Sequence, residues 1–214
     1  MKRLLSFVIL LMTAVSSFAQ EKDVTKFLGI PIDGTKAEMI AKLKEKGFTS
    51  SAYDREILEG EFNGQDVNLY VVTNNNKVYR IMVCDQNHKE ESDIRIRFNN
   101  LCQQFQNNPK YIATDDYTIP ADEDISYNIS VRDKRYQASY YQFDLEKVKE
   151  KLLEKYSEEE IATPNEDVKN AILETIENQS AHKSVWFMIA DYYGKYYITM
   201  FYDNVLNQAN GDDL

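Results

Sequence analysis

Apolar and polar residues along the chain follow two periods, one of about 3.6 residues, typical of helices, and one of two, typical of strands. Met39, Ile40 and Leu43 share one helical face. They follow the capping-box residues Thr35 and Glu38, and Gly47 ends the pattern, so the spacing predicts a helix over 36–46.

The next segments alternate with the strand period and are separated by short polar links. Asn63-Gly64 is a strong hairpin signal, and links this short cannot make a parallel crossover. The pattern therefore predicts an antiparallel meander of three strands, 57–62, 67–73 and 77–85. A helix follows, which Ser92 is expected to cap and which Asn107-Asn108-Pro109 ends.

A second sheet-forming block starts at Tyr111. Alternation predicts strands at 125–131 and 135–143, and helical spacing predicts a helix over 145–156. Thr163-Pro164-Asn165-Glu166 predicts the start of another helix, after a charged link at 157–160. A hairpin of strands 184–190 and 196–202, turning near Tyr193-Gly194, closes the chain.

These elements predict an α+β fold in which antiparallel meander sheets carry helices packed on one face. Residues 20–214 are expected to form a single α+β domain. The repeated block order also suggests two related α/β units, 27–108 and 109–214, although their sequences do not align convincingly.

The first nineteen residues predict the cellular location of the protein. A basic start at Lys2-Arg3, an apolar run over 4–15 and the small-residue exit Ser17-Phe18-Ala19 predict a signal peptide cleaved after Ala19. We therefore expect an exported protein, periplasmic or extracellular, with no membrane span. Cleavage leaves 23 basic and 35 acidic residues, and a net charge of −12 argues against nucleic acid as a partner.

Cys84 and Cys102 are the two cysteines of the chain. An exported protein meets an oxidising compartment, so we expect either a disulfide between them or two buried thiols. Metal binding by this pair is not expected, since no His or third Cys completes a tetrahedral set.

Few residues suit catalysis. His88 and His182, the two histidines of the chain, lie in polar links. Acidic clusters at 115–116 and 122–124 lack the spacing of calcium loops, and we expect no cofactor. They leave open a carboxylate-based hydrolase, which we rank below a non-catalytic protein.

Tyrosine is in excess, with 15 residues, and the last hairpin is apolar on both faces. Val185, Phe187 and Ile189 would face one side of the sheet, and Trp186, Met188 and Ala190 the other. Such a strand either has both faces covered by other parts of the protein or presents an aromatic face to a partner. Our first hypothesis is an exported binding module that recognises a protein, peptide or glycan. A passive structural or assembly protein of the cell envelope is a further alternative. The candidate binding residues are Trp186, Tyr140, Tyr141 and Tyr197.

Several motifs, from Phe27-x-Gly29-Ile30-Pro31-Ile32-Asp33-Gly34-Thr35 to Phe201-Tyr202-Asp203-Asn204, resemble a group of uncharacterised secreted proteins of Bacteroidota. The resemblance implies a compartment and no chemistry. More loosely, the order of elements is similar to the β-lactamase-inhibitor-protein type of fold, which implies nothing about function.

Overall fold

A computed structural model describes residues 23–209, so the predicted signal peptide lies outside the described residues. Six α-helices are present in this range, and α1 begins with the predicted capping box of Thr35 and Glu38. The helices are α1 Lys36–Glu45, α2 Glu91–Gln106, α3 Ile125–Arg132, α4 Leu145–Leu153, α5 Glu158–Ala162 and α6 Glu166–Ser180. Within residues 23–209, no helix has the length and apolarity needed to cross a membrane.

The strands form a two-stranded hairpin, β1–β2, and one antiparallel sheet of eight strands in the order β3-β4-β5-β6-β10-β9-β8-β7. Residues 49–85 supply one half of the sheet and residues 111–204 the other. The strands are β1 Lys26–Phe27, β2 Ile30–Pro31, β3 Thr49–Ser50, β4 Ile57–Phe62, β5 Gln65–Asn74, β6 Lys77–Asp85, β7 Tyr111–Ala113, β8 Gln137–Gln142, β9 Lys183–Tyr192 and β10 Lys195–Asn204.

The core lies between one face of this sheet and helices α1 and α2, which cover opposite halves of it. Alternation along each strand sends every second side chain to this face, as in β9, where Val185, Phe187 and Ile189 are buried. The β1–β2 hairpin also packs here, and Phe27 contacts Tyr202 edge-on with ring centroids 4.9 Å apart.

The α+β fold with an antiparallel sheet and helices on one face is confirmed. The first helix, the three-strand meander and the closing hairpin lie within one or two residues of their predicted bounds. The pairing of β6 with β10 joins both halves into one sheet. The relationship between the two predicted units remains a prediction.

The predicted strand at 125–131 is wrong, since these residues form helix α3. Asp124 caps it by accepting a hydrogen bond from the Tyr127 amide at 2.8 Å, and Asp133 ends it in the left-handed conformation. Ile125 is buried and Ile129 packs against the core, one helical turn apart. Spacing of four residues fits both periods, and tertiary contacts here overrode the β preference of isoleucine and valine.

Three further local predictions need correction. Glu90 rather than Ser92 is the N-cap of α2, and Asn165 rather than Thr163 caps α6. The charged link at 157–160 is no loop, because Ser157 and Glu160 form a capping box that starts α5.

The expected disulfide is not formed, since both cysteines are free thiols. Cys84 lies on the sheet face away from the core, beside Thr199, whereas Cys102 is buried in α2 on the core side. The sheet lies between the two thiols. Of the two buried thiols expected in the alternative, Cys102 is buried and Cys84 is half-buried.

Candidate functional site

The sheet face directed away from the core, called here the outer face, carries a continuous row of five large side chains that ends at a serine. Strand register places each member directly opposite the next, so the row crosses six strands from β4 to β8. It spans about 24 Å at the usual strand spacing. Its members are Ile57, Tyr70, Met82, Phe201, Trp186 and Ser139.

Most of this row is neither buried nor fully exposed. Trp186, Tyr70 and Met82 are half-buried, and Phe201 is 9 % exposed at the centre of the row. Side chains that stand side by side on a sheet bury one another's flanks but leave their tips open. The tips of the row therefore remain available to a partner.

A polar network fixes the centre of the outer face. Asp203 on β10 accepts two hydrogen bonds from the Arg80 guanidinium, at 2.6 and 2.8 Å, and one from the Trp186 indole at 2.9 Å. Trp186 stacks on Phe201 with ring centroids 3.9 Å apart, and the guanidinium carbon of Arg80 lies 4.8 Å from the Phe201 centroid. These contacts hold both rings upright and restrict their rotamers.

Three aromatic residues of the outer face each lie opposite a small residue on one of their neighbouring strands. Trp186 lies opposite Ser139, and Tyr141 lies opposite Ser184. Tyr197 lies opposite Ala190 in the same way. Large and small side chains at about 5 Å spacing give the outer face alternating ridges and depressions.

One end of the outer face continues into an exposed aromatic cluster at the β9–β10 turn, called here the tip. His88 stacks on Tyr197 with centroids 5.1 Å apart and contacts Tyr192 edge-on at 5.3 Å. Tyr193 contacts Tyr192 and is 90 % exposed. Aromatic side chains this exposed leave apolar surface in water.

The backbone of Tyr193 is in the left-handed conformation, with φ 51°, as the turn requires. Equivalent turns at Asn63-Gly64 and Asn75-Asn76 have asparagine there, with φ 53° and 47°. Asparagine tolerates this conformation, whereas a bulky aromatic side chain makes it costly. Tyr193 thus adds strain to the turn without burying its ring.

The structure brings three of the four sequence-predicted binding residues to one face. Trp186, Tyr141 and Tyr197 all lie on the outer face. Tyr140 does not, because alternation in β8 sends it to the core, where it is fully buried and stacks on Phe105. Sequence reasoning missed Arg80 and Asp203. The aromatic residue before Gly194 in a two-residue turn was the available signal for Tyr193.

The predicted acidic clusters have structural roles. Glu123 accepts hydrogen bonds from Tyr136 and Asn128 and pairs with Lys134, and Asp116 accepts one from the Thr118 amide. Lys134, followed by Tyr136, lowers the pKa of Glu123, and the Thr118 amide lowers the pKa of Asp116. A general acid needs a raised pKa, so these carboxylates lend no support to a hydrolase.

Metal ligands do not assemble in the part of the chain that the structure describes, where no three His, Cys, Asp or Glu side chains could hold an ion. The outer face offers aromatic area, one neutralised ion pair and hydroxyl groups. Such a surface can bind, orient and desolvate a partner.

Comparisons with protein-family models, with curated proteins and with solved structures return no significant match, so the residues of the outer face and the tip are the basis for a functional conclusion.

Proposed function

We propose that this chain is an exported, non-catalytic binding module whose outer face and tip recognise a protein surface. The observation that carries the proposal is the exposure of the tip, which lies along β9 and β10 from the row and in which Tyr192 and Tyr193 are 56 % and 90 % exposed. Tyr193 stays exposed in a turn that disfavours it. A residue that costs stability without packing is expected to serve another purpose.

The composition of this surface is that of an interface centre. Trp, Tyr and Arg are the residue types enriched among binding hot spots, and the outer face combines Trp186, Tyr141 and Arg80. Because Asp203 already neutralises Arg80, covering the pair does not strand a lone charge. A standard interface buries about 800 Å² on each partner. A row about 24 Å long, with the tip further along the β9–β10 hairpin, is a suitable centre for it.

A protein surface suits this shape better than the other two candidates. The row crosses a broad sheet rather than lining a narrow groove that would hold an extended peptide. A glycan ring would stack on an open aromatic face, but one face of Trp186 is occupied by Phe201. Peptide and glycan partners are therefore outcomes to be tested.

Export rests on the sequence pattern at 1–19 and on the resemblance to secreted proteins. A protein interface with aromatic anchors on a rigid sheet needs neither a disulfide nor a cofactor.

Site-specific photo-crosslinking tests the proposal. A photoreactive phenylalanine replaces Tyr193 in one variant and Tyr53, which is 99 % exposed and lies between β3 and β4, in a matched control. Both variants are incubated with native envelope extract and irradiated. We expect a discrete heterologous protein adduct at position 193 that position 53 does not give, and Tyr192→Thr should abolish it.

Other results would contradict the proposal. Identical adduct patterns at the two positions would show that the tip is ordinary surface. Adducts only between copies of this chain would favour the passive assembly role. Binding to a glycan array that Tyr141→Thr abolishes would move recognition from protein to carbohydrate.

A further inference from the structure

One side of the outer face is acidic. Residues 54–66, which contain β4 and the start of β5, carry five acidic residues and one basic residue. On the outer face itself this side presents Glu59, Glu61 and Asp66, and Glu61 lies directly opposite Asp66. None of these three carboxylates forms an ion pair within residues 23–209. Their negative charge is therefore available to a docking surface.

The other side of the outer face is basic. Residues 132–135, between α3 and β8, carry three basic residues and one acidic residue, and Lys134 already has a carboxylate partner. Tyr136 continues the ladder of β8, since the Ile189 amide donates to its carbonyl at 3.0 Å. Alternation then places Arg135 on the outer face, where it is exposed and forms no ion pair with any residue of the described range.

The two sides can face each other in a pair of copies. The strands that carry the row run in the order β4-β5-β6-β10-β9-β8, whose midpoint lies between β6 and β10. Two sheets that pack face to face lie about 10 Å apart. A two-fold axis that runs parallel to the strands at this midpoint, halfway between the two sheets, places β4 of one copy over β8 of the other.

This arrangement matches the charges. Strand register puts Glu61 and Arg135 at the same height along the sheet, so Glu61 of each copy faces Arg135 of the second copy. The two-fold axis makes this pair twice. A two-fold axis that runs across the strands would instead set β4 against β4, with carboxylates facing carboxylates.

The same axis matches the centre of the outer face. Tyr70 and Met82 lie on one side of the midpoint, and Trp186 and Phe201 lie on the other at the same height. Tyr70 therefore faces Trp186 of the second copy, and Met82 faces Phe201. Tyr70, Met82 and Trp186 are half-buried within one copy, so they still have area to contribute. Contacts between methionine sulfur and an aromatic ring are favourable.

The size of the outer face suits a weak pair. It extends about 24 Å across the six strands and about 20 Å along β6, from Arg80 to Gln86. Two such faces cover about 1,000 Å² in projection, which lies at the lower end of specific protein interfaces. Interfaces of this size are typical of association that is reversible.

We propose that two copies of this chain pair reversibly, outer face against outer face, while no other partner is bound. The inference deepens the proposed function and rests on it, because it names what covers the outer face until a heterologous protein displaces the second copy. Since the axis runs along the strands, both tips lie at the same end of the pair. Tyr192 and Tyr193 extend beyond the paired faces there and stay open to first contact.

Sedimentation of the purified exported chain, from micromolar to submillimolar concentration, tests the pairing. We expect a monomer–dimer equilibrium. Glu61→Arg and Arg135→Glu should each weaken dimerisation by about tenfold or more, because each substitution puts two pairs of like charges into the dimer. Glu45→Arg, at an exposed position of α1 on the other side of the sheet, is the matched control and should change nothing. A monomer at every concentration, or equal effects of the three substitutions, would overturn the proposal.

Mixing the two weakened variants tests the axis. Glu61→Arg and Arg135→Glu each carry the charge that the other lacks, so the mixture should form a mixed dimer about as tight as the natural one. The variant with both substitutions should recover self-pairing. If neither the mixture nor this variant recovers dimerisation, the two-fold axis proposed here is wrong.

The fluorescence of Trp186 locates the interface, because it is the only tryptophan of the chain. Quenching by acrylamide should fall as protein concentration rises through the range in which the dimer forms. A dimer in which quenching of Trp186 is unchanged would place the interface elsewhere and contradict the proposal.

Sedimentation uses the purified chain, whereas photo-crosslinking uses envelope extract, so the two proposals fail separately. A chain that stays monomeric but gives the adduct at position 193 would remove the pairing and leave the proposed function intact. A dimer with identical adducts at positions 193 and 53 would keep the pairing and remove heterologous recognition.

Discussion

Arg80 and Asp203 lie 123 positions apart in the chain and form a two-point ion pair at the centre of the sheet, with nitrogen to oxygen distances of 2.6 and 2.8 Å. The pairing of β6 with β10 sets these residues directly opposite each other. Because the Trp186 indole donates to the same carboxylate, one acidic side chain orients an arginine and an aromatic ring together.

Asp203→Asn should lower the free energy of unfolding by about 2 kcal/mol, because the Asp203 side chain is 5 % exposed and its loss of charge leaves Arg80 without a counter-ion. Urea denaturation measures the change. Glu166→Gln, which breaks the exposed pair with Lys169, is the control and should cost less than about 0.5 kcal/mol. Similar losses in both variants would argue against a special role for the central pair.

Tyr140→Phe should leave stability unchanged or raise it by up to about 1 kcal/mol. The Tyr140 hydroxyl is buried and meets only the Cys102 thiol, a weak partner outside good hydrogen-bonding geometry, so its removal relieves a poorly compensated polar group. Tyr196→Phe is the comparison, because its hydroxyl donates to Ser126 at 2.9 Å. Thermal unfolding should show a loss for Tyr196→Phe and none for Tyr140→Phe; the reverse order would contradict the geometry.

Tyr193→Asn should stabilise the protein by about 0.5–1 kcal/mol, because asparagine accepts the left-handed backbone that Tyr193 adopts. The reciprocal change, Asn75→Tyr at a matching turn position, should destabilise by a similar amount. Denaturant midpoints of the two variants provide the measurement. If Tyr193→Asn is less stable than the natural chain, the ring contributes packing that its exposure does not reveal.

Stability should decline at alkaline pH. Burial and then the hydrogen bond to Glu123 raise the pKa of Tyr136 to about 12. The native state therefore holds this proton more tightly than the unfolded chain, whose tyrosines titrate near 10. The contribution of Tyr136 is complete below pH 10 and is lost as pH rises toward 12. The free energy of unfolding at pH 9 and pH 11 should show a decline that is smaller in Tyr136→Phe, by about 1 kcal/mol in total between the two pH values.

Both thiols should be titratable in denatured protein that has never met a reductant, because neither cysteine is paired. In the native protein at pH 8 both should react slowly with a thiol reagent. Burial raises the pKa of Cys84, and burial raises the pKa of Cys102 to about 11. Cys102 should react only on unfolding. Recovery of no thiols under denaturing conditions would show a disulfide and contradict the structure.

Local patterns predicted the parts of the fold that local chemistry controls. The capping box at Thr35 and the Asn63-Gly64 turn act within a few residues, so the bounds of the neighbouring helix and strands could be predicted from the sequence. The segment 125–131 was not, because Ile125 and Ile129 satisfy both periods and the choice depended on what they pack against.

The candidate site was predictable only in part, for the same physical reason. The alternation of side chains in β9 separates Trp186 from the face that carries Val185 and Phe187. The same alternation would have excluded Tyr140 from the face of Trp186, once the pairing of β8 with β9 was known. The partners of Trp186 come from β6 and β10, and no short-range pattern reports which strands become neighbours across more than a hundred residues.

The junction of β6 and β10 also has a consequence for how the chain acquires its shape. Strands β4, β5 and β6 join by two-residue turns and β3 joins β4 through six residues, so their pairing needs only small loops to close. The edge of β6, by contrast, stays open until residues 195–204 are available, and its neighbour arrives from far along the sequence. We therefore expect the strands up to β6 to assemble first. The pairing of β6 with β10 should form late and slowly. Until then, the open strand is the most aggregation-prone part of the molecule.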